Sequence, residues 1–67
     1  MITYTHRDFD GDTLTFTAGN NSTLVTTHSD SENVATSVDI PKRKAIEVAQ
    51  ALLEAAGVNA KIFVEEM

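Results

Sequence analysis

Apolar and polar residues alternate with a period of two along the first part of the chain, then shift to a helical spacing after Pro41. The clearest alternation is in Val34–Ile40. Val34, Thr36, Val38 and Ile40 share one side, and Ala35, Ser37 and Asp39 share the other. Turn-forming residues gather at Asp10-Gly11, Gly19-Asn20-Asn21 and Ser29 to Asn33. They cut the preceding sequence into short β-branched runs. The pattern predicts four strands, Ile2–Arg7, Thr13–Ala18, Thr23–His28 and Val34–Ile40. Their even spacing and tight connections predict an antiparallel meander. After Gly57, the run Lys61-Ile62-Phe63-Val64 has the composition of one further short strand.

The first hairpin has a register that its side chains can select. If Asp10-Gly11 alone formed the loop, Phe16 would face Thr5 and Leu14 would face Arg7, dividing the apolar residues between two faces. If Phe9-Asp10-Gly11 forms it, with Gly11 left-handed, Asp8 meets Asp12. Ile2, Tyr4 and His6 then lie opposite Ala18, Phe16 and Leu14, while Thr3, Thr5 and Arg7 meet Thr17, Thr15 and Thr13. Only this second register makes one apolar and one polar face. Its weak point is the meeting of two aspartates at the hairpin end.

From Pro41 to Gly57 the chain reads as one helix. Proline suits the first helical position, and glycine suits a left-handed cap after the last. Asp39 is placed to offer a carboxylate to the free amides at the start. Arg43, Glu47, Gln50 and Glu54 form a narrow polar stripe. Ile46, Ala49, Leu53 and Ala56 form a stripe suited to the sheet, and Ala45, Val48, Leu52 and Ala55 extend the apolar surface beyond it. A helix lying on one surface needs an apolar arc of roughly 100°. The wider arc here predicts a second contact made by another chain.

Composition narrows the class. The chain has 67 residues, no cysteine, a formal net charge of −5 and ten acidic against five basic residues. The length predicts a single domain, 1–67, with a core near the lower limit of independent stability. Without cysteine, neither disulfides nor thiolate–zinc sites can support it. No basic-then-apolar leader and no long apolar run occur, so the reading is a cytoplasmic protein with no membrane partner. The acidic balance disfavours direct binding to nucleic acid.

Candidate chemistry is sparse. Asp8-Phe9-Asp10-Gly11-Asp12 resembles the start of a calcium loop, but the positions that need glycine and a carboxylate hold Thr13 and Gly19, so it reads as a hairpin turn. His6 and His28, beside Asp8 or Asp30, lack the further spaced ligands of a zinc site, and His6 reads as a partly buried residue near Leu14. Lys42, Arg43 and Lys44 stand at the helix start, where cations oppose the dipole. They are a candidate docking point for an anion or a partner's carboxylates, or a solvated start with Arg43 near Glu47. Thr13, Thr15 and Thr17 beside Thr3 and Thr5 read as a wet sheet face rather than an ice-binding array. No nucleophile is set in a catalytic context, no catalytic or cofactor-binding residue is identified, and the reading is that the protein is not an enzyme.

Val38-Asp39-Ile40-Pro41, with Ala45 to Ala49 and Ala51 to Gly57, resembles segments near the end of small uncharacterised proteins of actinobacteria and their phages. The resemblance covers about a third of the chain and rests on a capped amphipathic helix. It implies an accessory or phage-encoded protein that modulates a host protein by binding it. The Lys42-Arg43-Lys44 run departs from the mixed charge expected there.

The expected architecture is α+β: a four-stranded antiparallel β-meander with one C-terminal helix packed on one face, and a short final strand as an extension. The expected function is a non-enzymatic protein-binding module that forms a two-fold homodimer. Its self-contact is expected at Val48, Leu52 and Ala55, helped by Ile62 and Val64. The alternative is an acidic nucleic-acid mimic, with Asp8, Asp10, Asp12, Asp30 and Glu32 blocking a basic protein surface.

Overall fold

The structure, a computed structural model, describes residues 1–63. Four antiparallel strands form one sheet in sequence order: β1 (Ile2–Arg7), β2 (Thr13–Ala18), β3 (Ser22–Ser29) and β4 (Val34–Pro41). A 3₁₀ turn, Lys42–Lys44, leads into α1 (Ala45–Ala55). The fold is therefore α+β, a meander followed by one C-terminal helical segment.

The β1–β2 hairpin takes the register that separates apolar from polar residues. Tyr4 lies opposite Phe16, His6 opposite Leu14 and Thr5 opposite Thr15. The rings of Tyr4 and Phe16 pack with centroids 5.6 Å apart. Gly11 has φ of 88°, the left-handed value that the three-residue loop requires and glycine adopts without strain. The two aspartates that end the hairpin meet as expected, the Asp8 amide donating to the Asp12 carbonyl at 3.0 Å. Asp8 Oδ1 turns inward to accept the Asp10 and Asp12 amides at 2.9 and 3.0 Å. The Asp12 carboxylate instead accepts the Asp30 amide at 2.9 Å.

One part of that register slips. Between Ile2 and Tyr4 the pairing shifts, leaving Thr3 as an extra residue in a bulge. Ile2 consequently meets Thr17 rather than Ala18. The Ala18 amide bonds instead to the Met1 carbonyl at 2.8 Å.

The apolar side of the sheet carries Tyr4, Leu14, Phe16, Val25, Val38 and Ile40 at matched positions across the strands. The other side carries the row Thr5, Thr15, Thr26 and Ser37, with Thr26 Oγ1 and Ser37 Oγ hydrogen-bonded at 3.0 Å. Strands β3 and β4 each run slightly beyond their expected ends, and Pro41 closes β4 instead of opening the helix. Among the described residues no side chain caps the 3₁₀ turn or α1, so Asp39 does not serve the helix start. Asp39 sits within β4 opposite Leu24. The far end follows expectation: Gly57, at φ of 75°, donates to the Glu54 carbonyl, and the Val58 amide donates to Leu53 at 2.9 Å.

The helix does not close down on the sheet. Among the described residues no side chain is fully buried. The molecule measures 41 × 31 × 15 Å with a radius of gyration of 13.6 Å, where a compact domain of this length has about 11 Å. Residues Lys61, Ile62 and Phe63 join no strand, and Val64 lies outside the described residues. The Gln50 side chain fixes this segment by donating to the Ala60 carbonyl at 3.1 Å.

Candidate functional site

An apolar groove of about 200 Å³ separates α1 from the sheet. Phe16, Thr23, Val25 and Ile40 form its floor, and Ala45, Val48, Ala49 and Leu52 form its wall. The sheet supplies these residues because β2, β3 and β4 place them on the same side by alternation. The helix supplies Ala45, Val48, Ala49 and Leu52 because a spacing of three and four residues aligns them on one stripe.

This arrangement shifts the expected rotation of the helix only in part, since Ala49 of the expected stripe lines the groove and Leu53 is half-buried. Val48 and Leu52 belong to the flank expected to face away from the sheet, yet they border the groove on the sheet side. Ile46, assigned to the sheet-facing stripe, is 48% exposed. The structure leaves Val48 and Leu52 42% and 63% exposed across the open groove. Ala55 is exposed and Ile62 is half-buried. Of the residues expected at a self-contact, Val48 and Leu52 therefore share one site, and Val64 lies outside the described residues.

Lys42, Arg43 and Lys44 form the 3₁₀ turn and are all exposed. The Lys42 amide is occupied by the Asn21 carbonyl at 2.9 Å, so the turn does not present a free row of donors to an anion. Lys44 Nζ, rather than Arg43, meets Glu47 Oε2 at 3.4 Å. With the lysine side chain 53% exposed, that pair contributes little stability.

The opposite end of the sheet is acidic. The Asp12–Asp30 bond draws the β1–β2 and β3–β4 loops together. Asp8, Asp10, Asp12, Asp30 and Glu32 all lie on these two loops. A shallow depression of about 370 Å³ opens beside them, bordered by His6, Asp8, Asp12, His28, Glu32 and Val34. His28 is turned toward Asn33 Oδ1 at 3.2 Å, and His6, expected to be partly buried, is exposed. Among the described residues no group of three His, Asp or Glu converges as metal ligands would. No described helix is long and apolar enough to cross a membrane.

The meander expected from the sequence already places these two loops at one end of the sheet, but the Asp12–Asp30 bond that joins them, between residues eighteen apart, was not evident. The only local hint was aspartate at both loops. No known family model, curated protein or solved structure matches the chain.

Proposed function

We propose that the protein is a non-enzymatic binding module that self-associates as a two-fold homodimer and engages another protein. The observation that carries this reading is the open groove in a molecule with no fully buried side chain among its described residues. Its accessible surface is 5757 Å² for a mass of 7.3 kDa, against about 4,200 Å² for a compact monomer of that mass. The difference, about 1,600 Å² per chain, is in the range that obligate dimers bury. Val48, Leu52 and Ala55, with Ile62, form the side-chain part of this self-contact among the described residues; Val64, expected to help, lies outside them. A phage-encoded modulator of a host protein fits the same description, with the exposed run Lys42, Arg43 and Lys44, the last paired with Glu47, placed to meet a partner's carboxylates.

The test is Leu52→Glu. The expected outcome is a monomer by light scattering, destabilised by about 2 kcal/mol per chain through loss of a leucine that the self-contact would bury. Unchanged mass and melting temperature would remove this groove from the self-contact.

The carboxylates gathered on the two loops favour a second reading, an acidic mimic of nucleic acid. It separates from the first by ionic strength. A mimic releases its basic target as salt rises, whereas an apolar contact responds little.

A further inference from the structure

We infer that two copies of the chain join edge to edge through β4, antiparallel about a two-fold axis at Ser37, making one continuous eight-stranded sheet. This rests on the proposed self-association and specifies its main-chain seam.

The strand order leaves β1 and β4 as the sheet edges. They are unequally protected. β1 is interrupted by the Thr3 bulge and ends at Arg7, whose guanidinium reaches the Gly11 carbonyl at 3.2 Å. Bulges and cations are common means of discouraging edge pairing. β4 has an unbroken register from Val34 to Pro41 and contains no lysine or arginine. Val34 to Asp39 are all exposed, and Val34 and Val38 are 53% and 61% exposed. The groove-forming helix stands over β2, β3 and the end of β4, and among the described residues Val34 to Asp39 stay exposed along this edge.

The ladder fixes which groups point outward. The Lys42 amide bonds to Asn21, so hydrogen-bonded pairs recur at alternate positions, Ile40–Thr23, Val38–Val25, Thr36–Thr27 and Val34–Ser29. Ala35, Ser37 and Asp39 therefore turn their amides and carbonyls away from β3. Pairing must also keep apolar residues opposite apolar-face residues, which excludes every register shifted by one.

Among the remaining registers, one satisfies all three outward residues. Ser37 meets Ser37 of the second copy, and Ala35 and Asp39 meet each other. Sliding one way sets Ala35 against Pro41, which has no amide to donate. Sliding the other way sets Asp39 against Asn33, which is left-handed at φ of 54° and already donates to Ser29.

Charge agrees with the seam. In this register Val34 of one copy lies beside Ile40 of the other. The loop bearing Asp30 and Glu32 then comes next to Lys42, Arg43 and Lys44 of the second copy. On the apolar side, Val34 and Val38 gain Ile40 and Thr36 as cross-strand neighbours. The two-fold axis keeps both helices on the same face.

The absence of native cysteine gives a direct test. A hydrogen-bonded antiparallel pair has a Cα separation of about 5.5 Å, within disulfide range. Ser37→Cys is expected to cross-link to a covalent dimer under mild oxidation. Ala35→Cys alone is not, because its counterpart lies about 13 Å away along the strand. Mixing Ala35→Cys with Asp39→Cys is expected to give the mixed dimer. Circular dichroism checks that each variant folds. If the unmodified chain is a dimer by light scattering but Ser37→Cys links no faster than Ala35→Cys, the seam is wrong and self-association stands. A monomeric unmodified chain overturns both, and higher polymers overturn the closed two-fold seam.

Discussion

Asp8 shows how one side chain determines the shape of a turn. Its carboxylate accepts the Asp10 and Asp12 amides, so the charge that should repel Asp12 becomes a brace for the loop. Asp8→Ala is expected to cost about 1 kcal/mol, the typical net worth of such bonds, lowering the melting temperature by about 4–8 °C for a chain of this size. Asp8→Asn keeps the acceptor oxygen and is expected to retain most of that stability. Equal losses in the two variants, followed by thermal denaturation, would show that charge rather than hydrogen bonding matters there. The loop itself was legible because Asp10-Gly11 limits the geometry and only one register sorts the side chains. The Thr3 bulge was not legible, since Thr3 is flanked by residues that suit a regular strand equally well. Asp39 departs from its expected role for a related reason. A carboxylate before a proline resembles a helix cap, but β4 continues through Pro41 and holds Asp39 in the ladder.

At the level of elements, the strands owe their order to one another, whereas the helix stands nearly alone. The bounds of β1 and β2 followed from turn residues and alternation, both local signals. The pose of α1 did not, because alanine on several sides of the helix leaves more than one stripe able to face the sheet. Ala45, Val48, Ala49 and Leu52 take that role, and Ile46 remains half-exposed. The run from Lys61 to Phe63 has strand-forming residues but no partner strand in the described chain, and composition alone does not order it. α1 has 11 residues, shorter than the roughly 12–15 that an isolated helix needs to hold in water. A peptide spanning residues 42–58 is expected to show little helical circular dichroism on its own. A strongly helical peptide would mean that Gly57 and local propensity suffice without the sheet or a second chain.

On the scale of the whole molecule, acidic loops occupy one end of the sheet, and the basic turn follows β4 at the other. The sequence places the charges in separate segments, but the strand order determines that they end up apart. The slab is only 15 Å through its thinnest dimension, so no layer of side chains lies more than one residue's depth from water. Opening such a slab exposes little that was hidden before. Since the urea dependence of unfolding scales with newly exposed surface, a solitary chain is expected to give a broad, shallow urea transition. The assembled pair is expected to give a steeper one whose midpoint rises with protein concentration. Circular dichroism titrations at two concentrations, a hundredfold apart, would register the difference, and superimposable shallow curves would identify a chain that works singly.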